Sequence, residues 1–311
     1  MNKISMRDSF FTRLYDLAKN DKDIMVVSAD MGAPALDRFR KDMGKQFINI
    51  GIAEQNLIAV ASGLAKEGKK VFTYAIAPFI TSRCYEFTKL NAGLMKIPIK
   101  LVGVGAGFGY DDSGPTHHTT EDISIMRSIP HLEIYSPSDS EMALGLVDIM
   151  YNSKNPSYIR LDREQMPNIA DEFYKDRNFN EGFKELKKGK NICMVATGNM
   201  VHSALNISKY LGNGDIGVID MYRVKPVSDS FKDNLSEYKQ IVSLEEHLLN
   251  GGLGSIISET ITDNNINTKL KRIGLKDFIY AYGGRKNIQT LCNIDEESIA
   301  KEISKLLDLI S

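Results

Sequence analysis

The chain has 311 residues, 42% of them hydrophobic and 25% charged, with a formal net charge of −1 and three cysteines. Such a composition describes a globular protein with ample core, of a length that suits two medium-sized domains rather than one. The near-zero charge, with no basic cluster longer than Lys187-Lys188-Gly189-Lys190, argues against nucleic-acid binding, and no apolar run reaches the length of a membrane span.

In chain order, Met1-Asn2-Lys3-Ile4-Ser5-Met6-Arg7 lacks the apolar core of a secretion signal. Residues 7–19 carry an apolar stripe of Phe10, Phe11, Leu14, Tyr15 and Leu17 and read as an amphipathic helix. Residues 24–30 read as a strand ending in Asp30. Residues 47–50 form a shorter one, which turns at Gly51 into a helix with apolar spacing at Leu57, Val60, Ala61 and Leu64. A strand at 71–76, a helix at 78–94 and a strand at 97–104 follow. A long Gly-, Asp- and His-rich loop, 105–121, then leads to a helix at 122–128, and loops of that length are disproportionately functional. After it come a strand at 132–135, a Ser136-Pro137-Ser138-Asp139 turn opening a helix, and a strand at 157–161. Residues 168–190 turn polar and charged, and a second alternating unit begins with strands at 192–196, 216–219 and 241–244, a helix at 201–211 and a closing helix at 296–309.

This alternation predicts an α/β protein of two consecutive doubly wound domains with mostly parallel sheets, 1–170 and 191–311, joined by a linker at 171–190. Ligands of such sheets gather at the carboxyl ends of strands. Asp30, Glu54, the 76–79 turn and the loop after residue 104 all fall there and are expected to share one rim. Cys84, Cys193 and Cys292 are scattered without metal-ligand spacing and read as reduced thiols of a cytoplasmic protein.

Glu54 sits in the first turn of its helix, where the helix dipole favours any carboxylate. Its neighbours Gly51, Ala53, Ala59, Ala61, Ser62 and Gly63 are small and imply close packing with few solvated partners. A carboxyl so placed can share a proton with a ring nitrogen. The segment Asn49-Ile50-Gly51-Ile52-Ala53-Glu54-Gln55-Asn56 resembles the pyrimidine-binding segment of the transketolase family of thiamine-diphosphate enzymes. In that family the glutamate hydrogen-bonds the cofactor's aminopyrimidine and so promotes loss of the thiazolium proton. The cofactor carries the hard chemistry and the protein positions it.

The resemblance extends residue by residue. Phe79 stands where the family stacks an aromatic on the pyrimidine ring, with Tyr85 as a weaker second contact and Ser82 where the family has another aromatic. Asp30 lies at the cofactor rim, and Met31 and Ile52 would support the cofactor from below. Ser113-Gly114-Pro115-Thr116-His117-His118 resembles the family's Gly-Pro-Thr-His segment, in which the histidine assists proton transfer at the substrate, a role suited to an imidazole near neutral pH. Ser113 replaces the usual acidic contact to a substrate hydroxyl, and Gly105 replaces the usual histidine twelve positions before His117. Arg7, 23 residues before Asp30, and Arg163 in Leu161-Asp162-Arg163-Glu164-Gln165-Met166-Pro167 match the phosphate-binding arginines. The serine that joins them in the family falls near Ala33-Pro34 here.

Val195-Ala196-Thr197-Gly198, Val224-Lys225-Pro226, Glu245-Glu246-His247 and Gly251-Gly252-Leu253-Gly254-Ser255 resemble the family's carboxy-terminal domain. The Gly-Asp-Gly…Asn motif that binds the diphosphate and Mg²⁺ has no counterpart; Gly212-Asn213-Gly214-Asp215-Ile216 does not match it. The resemblance therefore implies a split enzyme: this chain as the carboxy-terminal subunit, with no metal ligand of its own, and a separate amino-terminal subunit carrying the Mg²⁺ ligands, assembled as an α2β2 tetramer. It would transfer a two-carbon ketol unit between sugars, with a phosphate on the substrate. The alternatives are a subunit like deoxyxylulose-phosphate synthase, an oxo-acid dehydrogenase β-like subunit, and a non-catalytic scaffold that keeps the fold. Gly-Pro-Thr-His argues against the dehydrogenase, and Glu54 together with His117 against the scaffold.

Overall fold

The structure is a computed structural model that describes residues 5–212 and 214–310. Residues 1–4 of the amino-terminal stretch and Asn213 of the Gly212–Ile216 stretch lie outside the described residues. The first unit comprises α1 (Met6–Asn20), β1 (Ile24–Ser28), α2 (Pro34–Asp42), β2 (Phe47–Asn49), α3 (Glu54–Lys66), β3 (Lys70–Ile76), α4 (Ala77–Ile80), α5 (Tyr85–Thr88), β4 (Lys100–Val104), α6 (Asp122–Arg127), β5 (Glu133–Tyr135), α7 (Ser140–Asn152), β6 (Ser157–Leu161) and α8 (Ala170–Phe173). The second comprises β7 (Lys184–Lys187), β8 (Ile192–Ala196), α9 (Met200–Tyr210), β9 (Ile216–Asp220), β10 (Arg223–Lys225), α10 (Phe231–Ser236), β11 (Gln240–Leu248), α11 (Leu253–Asp263), β12 (Lys269–Leu275), α12 (Arg285–Leu291) and α13 (Glu296–Ile310).

Strands β1, β4, β6, β8 and β9 are buried along their whole length, as apolar runs covered by helices on both faces should be. They form a seven-stranded sheet, β10-β5-β6-β4-β3-β1-β2, and a five-stranded sheet, β12-β11-β8-β9-β7. Both are parallel except at one edge each, where β10 and β7 run antiparallel. Phe10 and Leu14 of α1, Phe39 of α2 and Leu146 of α7 fill one face of the larger sheet. Leu57 and Ala61 of α3 and Met126 of α6 fill the other, in a core that continues into Val195, Ile219 and Leu253 of the second unit. Strand β10 follows β9 in the chain yet pairs with β5 of the first sheet, so the two units are tied by hydrogen bonds as well as by apolar contact.

Two expectations change in detail. The helix at 78–94 is broken into α4, a turn, α5 and a π-helical stretch at Lys89–Leu94. The cause is local: Thr81 Oγ1 donates to the Ala77 carbonyl at 2.6 Å and Ser82 Oγ to the Pro78 carbonyl at 2.8 Å. Side chains that bond back to i−4 carbonyls compete with the helix ladder and bend it. The stretch at 171–190 carries the end of α8 and all of β7. An edge strand such as Lys-Glu-Leu-Lys keeps one side in solvent, so its composition reads as a connector.

Candidate active site

The carboxyl ends of β1, β2, β3, β4 and β6 lie side by side in the first sheet, and each delivers a predicted residue to the same rim. After β1, Asp30 accepts a hydrogen bond from Asn49 Nδ2 at 2.9 Å, and Asn49 Oδ1 accepts from Gly51 N–H at 2.9 Å. Gly51 has φ +74°, which a residue with a side chain adopts only with strain, and this turn starts α3 at Glu54. Met31 is half-buried beside the core, whereas Ile52 is 81% exposed at the rim.

Glu54 is buried, and Arg83 Nη1 donates to its Oε2 at 2.9 Å. The expectation of a carboxylate with few partners is thus corrected, since the turn that breaks the 78–94 helix swings Arg83 towards α3. The Arg83 guanidinium also lies over the Phe79 ring, 3.9 Å from its centroid. Beside them burial pushes the Cys84 thiol up to about 12, with the Glu54 charge adding to the rise.

From Phe79 a row of contacts runs along the rim. His117 meets the Phe79 ring edge-on at 5.1 Å between centroids, and Thr116 Oγ1 is 3.0 Å from its Nδ1. Tyr110 stands 5.9 Å from His117, and the Arg163 guanidinium lies 4.5 Å from the Tyr110 centroid. Arg163 Nη1 donates to Asp112 at 2.7 Å, and Ser113 Oγ donates to the same carboxylate at 3.0 Å. Burial raises the Tyr110 hydroxyl, an effect that the charges of Arg163 and Arg7 oppose, so Tyr110 lies within electrostatic reach of both arginines. Arg7 itself pairs with Asp8 at 3.0 Å.

The structure therefore brings Glu54, Phe79, His117, Ser113 and Arg163 into one row, with Arg7 at its far end. Tyr85 is turned away from that row: its hydroxyl is 2.7 Å from Ser128 Oγ. The neighbouring His118 is also set apart, packed edge-on against Phe108 at 5.0 Å. Sequence reasoning missed Arg83 and Tyr110. The signal for Tyr110 was Gly105: with φ +97°, a Cβ there would fall within the Tyr110 ring, so the small residue makes room for the aromatic one.

A family model described as transketolase, pyrimidine binding domain, matches residues 2–168, and one described as transketolase, C-terminal domain, matches residues 182–299. One of the two subunits of the apulose-4-phosphate transketolase of Phocaeicola vulgatus is 33% identical over 305 residues, which cover 96% of this chain and 96% of that protein. The 6-deoxy-6-sulfo-D-fructose transketolase subunit of Clostridium sp. (strain MSTE9) is 32% identical over 277 residues, or 88% and 85% of the two chains. Among solved structures, a split gene transketolase described as an inactive beta4 tetramer aligns with a TM-score of 0.87 and 28% identity, over 98% of this chain and 99% of that one.

Proposed function

The chain belongs to the transketolase family, and we propose that it is the carboxy-terminal subunit of a two-chain enzyme that moves a two-carbon ketol unit between sugars with thiamine diphosphate. The observation that carries this reading is the Glu54–Arg83–Phe79 arrangement. One guanidinium, a flat nitrogen-bearing group, spans the buried carboxylate and the aromatic face at once. The same spacing suits a flat nitrogen heterocycle, so the residues present fit the aminopyrimidine half of the cofactor. The relatives named above are subunits of about this length, which supports a partner chain carrying the other half.

When bound, thiamine diphosphate supplies a carbon nucleophile able to carry the ketol unit. The chain's own residues then have distinct tasks. Glu54 holds a proton between its carboxylate and the pyrimidine ring nitrogen, and Arg83 fixes that carboxylate in place. Phe79 offers its face to the ring, Met31 and Ile52 lie beneath the cofactor, and Asp30 stands at the rim. Tyr85 would reach the ring only by leaving Ser128. His117 moves a proton at the substrate oxygens, Ser113 meets a substrate hydroxyl, and Arg163 and Arg7 bind an anionic group at the mouth.

The partner brings the diphosphate and Mg²⁺ ligands, and the pair assembles as an α2β2 tetramer in the cytoplasm. The domain limits stay at 1–170 and 191–311, with β7 reaching back to join the second sheet. Alone, the chain would self-associate without activity. A coupled assay of ketol transfer tests the reading: turnover is expected only when the chain is mixed with a partner carrying the Gly-Asp-Gly…Asn motif. Turnover by the chain alone, or none with that partner, contradicts it.

A further inference from the structure

The loop at 105–121 carries Ser113 and His117, yet within itself it makes only one antiparallel bridge, Gly107 with Thr119. Its other anchors come from the carboxyl edge of the second sheet. Glu246 Oε1 accepts the Phe108 N–H at 2.7 Å, and its carboxylate fills the space where a side chain at Gly107 would go. Leu248 N–H donates to the Thr120 carbonyl at 2.7 Å. Asp111 Oδ2 accepts the backbone N–H of Arg285, the first residue of α12, at 2.7 Å. The Tyr282 ring lies against Gly114, leaving no room there for a Cβ.

Arg285 joins these anchors. It is buried, with Nη2 2.7 Å from Glu246 Oε1 and a two-pronged pair to Asp162, Nη1 to Oδ1 at 2.9 Å and Nη2 to Oδ2 at 2.7 Å. Asp162 immediately precedes Arg163 at the end of β6. Asn199 and Gln289 complete the shell of Glu246, donating to its Oε2 at 3.1 and 2.5 Å. A buried ion triad of this kind adds little stability over an apolar core of equal volume. A guanidinium fork does fix the directions of two carboxylates at once.

We infer that Arg285 is a positioning residue: through Glu246, Asp111 and Asp162 it holds the His117 loop and Arg163 in register, and in this way the carboxy-terminal domain sets donor binding. The inference rests on the reading above that His117 and Arg163 meet the substrate. Displacing a reacting group by about 1 Å can cost ~10²-fold in rate, so a loose clasp would be felt at the substrate and not at Glu54, on a different strand end.

Two variants test it, in the full chain and in the reconstituted pair. Arg285→Lys keeps the charge and loses the fork. Asp111→Ala removes one anchor at a half-buried site without stranding a buried charge. Hydrogen exchange across 105–121 is expected to speed up about tenfold or more at the Phe108 amide. Donor kcat/KM should fall about ten- to hundredfold, mainly through KM, while thiamine diphosphate affinity in the pair stays near that of the wild type. Unchanged exchange in both variants overturns the clasp. An activity loss matched by equal losses in cofactor affinity and Tm, with donor KM unmoved, overturns the positioning role and leaves Arg285 structural. Failure of the wild-type pair to transfer any ketol unit would instead refute the functional reading, and the exchange arm would still decide whether Arg285 holds the loop.

Discussion

Arg83 Nη1 stands 2.9 Å from Oε2 of Glu54, joining the turn after α4 to the first residue of α3. The carboxylate end of this pair is buried and the guanidinium is partly exposed, so the pair fixes the orientation of Glu54 while leaving one side of it open. Glu54→Gln keeps the shape and removes the proton-holding group. In the reconstituted enzyme it should lower kcat by ~10²–10³ with Tm unchanged. Arg83→Met should cost less, about tenfold, through a misaligned carboxylate. Near wild-type turnover of Glu54→Gln would make Glu54 an ordinary helix-start carboxylate.

The arginines at the far end of the row should read an anionic group. Arg7→Ala and Arg163→Ala are each expected to raise the KM of a phosphorylated substrate by about one to two orders of magnitude, with smaller effects on kcat. If neither change raises it, the anion site is elsewhere.

Ser113 and Gly105 replace the usual donor contacts, and the Tyr110 ring lies against Gly105. The common pentulose phosphates should therefore be poor donors, and a sugar with an altered hydroxyl pattern a better one. A donor panel decides this, and efficient use of xylulose 5-phosphate would show that these replacements do not matter. Independently, Gly105→Ala should cost about 2 kcal/mol or more of stability, because φ is +97° and the new Cβ meets the ring. Tyr110→Ala in the same chain should recover part of that loss.

Asp220 predicts a pH dependence. Burial raises its carboxyl to about 7, although Ser138 Oγ and Tyr174 OH donate to its Oδ2 at 2.7 and 3.0 Å. Its Oδ1 has no partner, which favours the protonated form. A raised folded-state value means the contribution is intact at low pH and fades as pH rises towards 7. Asp220→Asn, which cannot ionise, should therefore gain Tm relative to wild type on going from pH 5 to pH 8. An equal Tm difference at both pH values would place the Asp220 carboxyl in the ordinary range.

The rim was legible in sequence because every residue on it directly follows an apolar strand, and strand ends are set by local pattern. Glu54, Phe79, His117 and Arg163 could be placed for that reason. The partners that orient them could not. Arg83 reaches Glu54 only because Thr81 and Ser82 break a helix that periodicity carries straight through. Tyr110 meets Arg163 across a loop, and Arg285 reaches Asp162 and Glu246 from separate elements. Such contacts depend on tertiary packing and leave no periodic trace. Strand β10 was missed for a related reason: three residues pairing with a sheet in the other unit show no alternation of their own.

The central claim is that this chain holds only half of a cofactor site. Titration calorimetry of thiamine diphosphate with Mg²⁺ tests it most directly, run first on the purified chain and then on the chain mixed with its amino-terminal partner. The chain alone should give no measurable heat of binding at micromolar cofactor, and the mixture should bind tightly, with the affinity falling in Glu54→Gln. Micromolar binding by the chain alone would contradict the claim.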